Sequence, residues 1–272
     1  RQVLGWAAVM GTDFWEGAVA TIGEAALETV QEALQEAWRQ DLIAVRSESA
    51  LTGEPEYRFN HPVVREAAYA RLDEGQRATY HRRAAQWLIA RDESEVEEHL
   101  GLIGQQFERG RQWDEARHYL QRAGGQAAAQ YANEAAIAYY ERALALPAAD
   151  DEVGDETRRL HVALGDIYRL IGRYEKAVEN YQRALGGDLP PTQSAEIRRK
   201  LAKVWELQGH HDKAMALLQE TQAAVPEEKE PLLVASLYND RAWIATKQGN
   251  YEQALVLCLK GLDVADRLPD SP

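Results

Sequence analysis

The chain has 272 residues, of which 45% are hydrophobic and 28% charged, and a formal net charge of -13. That composition is globular rather than disordered, and the negative balance repels a phosphate backbone, which disfavours nonspecific nucleic-acid binding. Net charge leaves room for a local basic groove, because it says nothing about distribution. The lone cysteine, Cys258, excludes an intrachain disulfide and fits a reducing, cytoplasmic setting. Its place at a packed helical position reads as core filling. No run approaches the ~18 apolar residues of a membrane span, and the opening lacks the pattern of a signal peptide. The chain starts at Arg1 inside a helical pattern, so the expectation is a piece of a longer protein, monomeric on its own.

In chain order, apolar runs at 4–9 and 14–22 flank a Gly11-Thr12-Asp13 turn, where Thr12 or Asp13 is placed to cap the second helix. Leu27, Val30, Leu34 and Trp38 carry helical spacing through 25–39. Leu42 to Val45 and Tyr57 to Phe59 are strand candidates around a turn at 49–55. Pro62 opens a helix, where its fixed φ and missing N–H cost nothing. Val63, Val64, Ala67, Ala68 and Leu72 form the expected buried stripe, and a further helix covers about 74–91. Helices, a two-stranded wing and another helix describe a small winged-helix domain over 1–91. Its acids Glu24, Glu28, Glu32 and Glu36, set against few bases such as Arg65 and Arg71, disfavour DNA reading in a major groove.

From 92 to 272 a different spacing recurs. The best copy reads Leu164, Gly165, Tyr168, Gly172, Tyr174, Ala177, Tyr181, Ala184, Leu185. Copies align on Ala116, Ala136, Ala177, Ala214 and Ala254, with turn-forming links at 147–156, 186–193 and 226–231. Gly165 is expected to meet Ala177 at a close helix crossing, because small residues let backbones approach. Gly172 supplies a left-handed helix end, and Tyr168, Tyr174 and Tyr181 fill the space between hairpins. Ala116 and Ala136 are too close for two full hairpins, so successive helices near 97–110, 113–131 and 133–146 are expected to share faces. A regular array of this kind offers a long surface to a partner and no single reaction centre.

These residues resemble the tetratricopeptide repeat family, whose period is slightly shorter. The resemblance implies an all-α fold, a right-handed superhelix of helical hairpins, with a concave groove lined by fixed positions of each first helix. Those positions are Arg159, Val162, Asp166, Arg169 and Leu170, then Glu196, Arg199, Lys203, Glu206 and Leu207, then Ser236, Asn239, Trp243, Thr246 and Lys247. Arg159, Arg169, Arg199, Lys203 and Lys247 suit an acidic peptide, though a helical face that alternates charge for solubility is the more ordinary explanation. Asp166 and Asn239 complete the polar lining, and Trp243 is the candidate anchor.

The stretch from Tyr57 to Tyr69 resembles the region after the ATPase core in signal-transduction ATPases with numerous domains. Some of those proteins end the strand in a Met-His-Asp triplet whose His reaches ADP. Here Asn60-His61-Pro62 stands at that place, so His61 matches and its neighbours do not. The resemblance implies a sensor that relays ligand binding to an upstream ATPase domain in cis. A constitutive scaffold and the central region of a transcription activator are the alternatives. The fragment carries no phosphate loop, so ATP or ADP is expected only with that upstream domain. The sequence offers neither a catalytic residue nor a metal site: His210 and His211 are adjacent and diverge on a helix, and paired acids such as Asp150-Asp151 read as solvated links.

Overall fold

The computed structural model describes residues 2–147 and 154–267. Asp150, Asp151 and the middle of the 147–156 link lie outside the described residues. The chain divides into two compact units, Arg1–Ala149 and Asp150–Pro272. The boundary expected at 91/92 falls inside the first unit.

The first unit begins with α1 (Gln2–Met10), β1 (Asp13–Trp15), α2 (Glu16–Gly23), α3 (Leu27–Arg39), β2 (Ile43–Val45) and β3 (Glu56–Phe59). Helix α1 is apolar nearly all round and is buried from Trp6 to Met10, as a central helix must be. The three strands form one antiparallel sheet in the order β1-β3-β2. Asp13 faces Arg58 across the first pair and Ile43 faces Phe59 across the second. The two expected strands are present, and β1 adds a third. Asp13 therefore belongs to a strand, and neither it nor Thr12 caps α2; Trp15 holds the N-cap position without a side-chain cap. On α3 the buried residues are Val30, Leu34 and Ala37, while Leu27 and Trp38 are exposed. The helical period is as expected, with the stripe rotated at both ends.

Next come α4 (Pro62–Ala70), α5 (Glu74–Ile89), α6 (Glu93–Glu98), α7 (Leu100–Arg109), α8 (Trp113–Ala129) and α9 (Asn133–Ala145). Pro62 does open α4, but the helix buries none of its residues completely and Val63 is exposed. The expected stripe is partial: Leu72, just beyond the helix, is its one buried member. Helix α5 starts in a capping box, with Asp73 accepting from the Gln76 backbone and Gln76 accepting from the Asp73 backbone. Helix α7 packs on α5, and α8 packs on both α7 and α9, so these helices share faces.

A polar knot ties the first unit together. His81, fully buried on α5, lies 2.8 Å from the Tyr69 hydroxyl and 2.5 Å from Gln106 Oε1. The Gln106 amide nitrogen donates to the carbonyls of Val9 and Met10, which end α1 without an intrahelical partner. That orientation assigns the imidazole proton to Nδ1, donated to Gln106, and leaves Nε2 to accept from Tyr69. Burial holds the imidazole pKa down to about 4, against the opposing pull of the Gln106 bond.

The second unit is three helical hairpins: α10 (Asp155–Leu170) with α11 (Tyr174–Ala184), α12 (Pro191–Leu207) with α13 (His211–Ala224), and α14 (Pro231–Lys247) with α15 (Tyr251–Ala265). Their turns place Gly172, Gly209 and Gly249 at φ of 75°, 79° and 76°, the left-handed region that a Cβ disfavours. In the first unit the corresponding turns use Arg111 and Tyr131, both at φ 59°. Within α10–α11 the close partner of Gly165 is Tyr181, not Ala177: a Cβ on Gly165 would sit 2.6 Å from the Tyr181 ring. Gly124 faces Tyr140 in the same way, at the same sequence separation. Ala202 and Leu218, again equally separated, share the core of the later hairpins.

Candidate functional site

The first helices α10, α12 and α14 lie side by side in the second unit. They line a groove of about 660 Å3 that includes Asp166, Arg169, Arg199, Lys203, Asn239 and Trp243. Six of the nine residues singled out in the sequence thus meet in one place. Lys247 stands just outside, with its Nζ 4.9 Å from the centre of the Trp243 ring. Arg159 lines a neighbouring depression of about 390 Å3, which shares Asp166. His61 lies in the other unit: it holds the N-cap position of α4, is exposed, and makes no side-chain cap bond.

The groove's electrostatics differ from those of a basic cleft. Its four bases, Arg169, Arg199, Lys200 and Lys203, are matched by four acids, Asp166, Glu196, Glu206 and Asp240. Most are joined directly. Arg199 Nε donates to Asp240 at 2.6 Å and Lys200 Nζ to Asp166 at 2.5 Å, so each pair bridges two adjacent first helices. Lys203 pairs with Glu206 on its own helix at 2.6 Å. Asp166 also accepts from the Tyr181 hydroxyl at 2.7 Å, and burial together with that carboxylate pushes the Tyr181 pKa up. Lys200 and Asp240 were not singled out in the sequence. The spacing of Lys200 from Glu196 was the available signal, since residues four apart share a helix face.

Trp243 is the organising side chain. About half of its surface is exposed, and its indole nitrogen donates to Glu206 at 3.3 Å. Lys203 and Lys247 lie over its ring at 5.6 and 4.9 Å, close enough for attraction to the π face. Burial raises the pKa of Glu206, but Lys203, the indole bond and Lys247 outweigh it, and the carboxyl sits below its ordinary value. The ring is thereby tied at its indole nitrogen and flanked by two cations, with about half its surface left open. Cys258, expected in the core, is exposed and lines the same groove. It stands at the α15 position equivalent to Tyr181 and Leu218, but does not fill the crossing as those larger side chains do.

Comparison with known proteins agrees with this geometry. Residues 160–194 match the tetratricopeptide repeat family. That stretch carries a tetratricopeptide-type repeat. The apo form of RapI superposes with a TM-score of 0.56 at 16% identity, covering 90% of this chain and 61% of RapI. A MamA crystal structure gives 0.51 at 17% identity over 69% of this chain and 98% of MamA. The MamA fragment from Desulfovibrio magneticus RS-1 gives 0.50 at 14% identity over 73% and 99%. At these identities the likeness is one of fold. No curated protein sequence matches the chain. Among the described residues, no helix is long and apolar enough to cross a membrane.

Proposed function

We propose that this chain is a non-catalytic recognition module whose second unit takes a protein or peptide segment in the groove between α10, α12 and α14. The observation that carries this reading is Trp243, half exposed and braced by Glu206, Lys203 and Lys247 at the wall of a groove of about 660 Å3. An exposed but rigid aromatic ring loses little entropy on contact and is the kind of residue that dominates binding energy. Because most of the groove's charges are already joined in Arg199–Asp240, Lys200–Asp166 and Lys203–Glu206, the ligand is one with an apolar or aromatic anchor and few net charges, rather than an acidic tail. Displacing Arg199 from Asp240 or Lys203 from Glu206 would cost the existing pairs.

An array of immobilised random dodecapeptides probed with the chain tests this. Peptides captured by the groove should bind Trp243→Ala at least tenfold more weakly, and Arg199→Ala with a smaller change. Captured peptides that bind both variants as well as the parent, or no captured peptide at all, would sink the reading.

A second proposal concerns the first unit. Its order α1-β1-α2-α3-β2-β3 with the sheet order β1-β3-β2 supports reading it as a winged helix, the domain that joins ATPase and repeats in signal-transduction ATPases. In that role it would relay groove occupancy to an upstream nucleotide switch, with exposed His61 turned toward the nucleotide. Moving such a switch from mostly off to mostly on takes roughly 5 kcal/mol of differential binding. A constitutive scaffold needs no such relay, and a phosphate-loop domain upstream in the parent sequence distinguishes the two.

A further inference from the structure

The first unit carries a second concave surface, independent of the repeats. One face of α3, with Val45 of the edge strand β2 and Tyr57 of β3, lines a groove of about 550 Å3. Two features set it apart. Trp38 and Val45 are 54% and 55% exposed, an aromatic and a branched side chain left in water beside each other's groove. Around them stand Glu28 and Glu32, both exposed, and Glu16, which is 7% exposed. Glu28, Glu32 and Trp38 all line the groove from α3.

The carboxylates have no cationic partner in the described ion pairs. Buried Glu16 is satisfied by neutral donors, the Gln31 amide at 3.0 Å and the Tyr57 hydroxyl at 3.3 Å. A buried carboxylate held only by neutral groups keeps its field, and that field reaches the groove unscreened by a counter-charge. Nucleic acid is repelled here. A second copy of a chain with net charge -13 meets long-range repulsion on approach, so a basic segment of another protein is the better complement.

We propose that this groove docks a basic segment of a partner protein, in which Lys or Arg side chains flank an apolar anchor. The anchor would lie against Trp38 and Val45, and the cations would face Glu16, Glu28 and Glu32. Tryptophan supplies both contact area and a π face for an arginine, so the anchor and one cation can share it.

The test pans a random dodecapeptide display library on the chain in the presence of excess soluble E28K/E32K/W38A variant, which absorbs binders of every other surface, the Trp243 groove included. Trp38, Glu28 and Glu32 are exposed, so the variant should keep the parent's circular dichroism and Tm. Enriched peptides should carry at least two Lys or Arg around an apolar residue. As synthetic peptides they should bind Trp38→Ala and E28K/E32K at least tenfold more weakly and lose affinity between 50 and 300 mM NaCl. They should bind Trp243→Ala unchanged, so failure of the repeat groove leaves this result readable. Enrichment of acidic peptides, peptides that bind the triple variant equally, or no enrichment overturns the proposal. So does self-association in sedimentation that Trp38→Ala abolishes, which would give the face to a second copy.

Discussion

At the scale of single residues, the repeat signature acts through pairs of side chains facing each other across a hairpin. Gly165 is a glycine because Tyr181 fills the place its Cβ would take, 2.6 Å away. Tyr181 is fully buried and its hydroxyl is tied to Asp166, so the ring has no room to yield. Gly165→Ala should cost about 1–3 kcal/mol by overpacking, measured by urea denaturation. The hairpin α12–α13 supplies the remedy: it solves the same crossing with Ala202 and Leu218. Adding Tyr181→Leu to Gly165→Ala recreates that combination and should recover most of the loss, giving a favourable coupling in a double-mutant cycle. Additive losses would show that the two residues do not compete for the same space. Sequence spacing had assigned Gly165 to Ala177. The small-to-small reading was physically sound but looked at the wrong partner, because a glycine can accommodate either a close backbone or a large ring, and only coordinates tell which.

At the scale of elements, the turns are the most legible feature and the short strand the least. Glycine after each first helix of the later hairpins predicts a left-handed residue, and Gly172, Gly209 and Gly249 occupy that region. Tyr131 takes the same conformation with a side chain that is 81% exposed and packs against little. Tyr131→Gly should therefore stabilise by about 1 kcal/mol, and Gly172→Ala should destabilise by a similar amount, since L residues strain at positive φ. Thermal melts of both variants check this; shifts of the same sign would contradict it. Strand β1 escaped the sequence because Asp13-Phe14-Trp15 is three residues long and runs straight into the apolar helix α2. No alternation can develop over so short a stretch. Its register comes from outside, from β3 and the ion pair of Arg58 with Asp13 at 2.6 Å, which holds the Asp13 carboxyl below its ordinary range. Helix α4 misled for another reason: Val63 and Ala67 have helical spacing, yet they face solvent in this structure.

At the scale of the molecule, six of the residues singled out in the sequence line one groove, whose charge is more balanced than an acidic-peptide site requires. The resemblance to tetratricopeptide repeats picked out Arg169, Arg199, Lys203 and Trp243, which line one groove from three successive first helices. Two of the acids that offset the groove's bases, Asp166 and Asp240, reach them from the neighbouring helices α10 and α14, and no single repeat reveals cross-helix pairing. His81 was passed over entirely, since one histidine in a helix looks like any other until Tyr69, Gln106 and the end of α1 are seen to converge on it. Its folded pKa of about 4 lies below the ordinary 6.5, so the unfolded chain takes up the proton first. Stability is complete above about pH 6.5 and should fall by roughly 3 kcal/mol as the pH drops to 4. Denaturant titrations between pH 7.5 and 4.5 should record that slope, and His81→Gln should flatten it by one proton. An unchanged slope in the variant would remove His81 from the account. The exposed thiol on α15 has a practical consequence. Because the molecule owns a single sulfhydryl and it borders the cleft beside Trp243, a maleimide dye attaches at one defined point of the unaltered chain, turning the protein into its own optical gauge of occupancy.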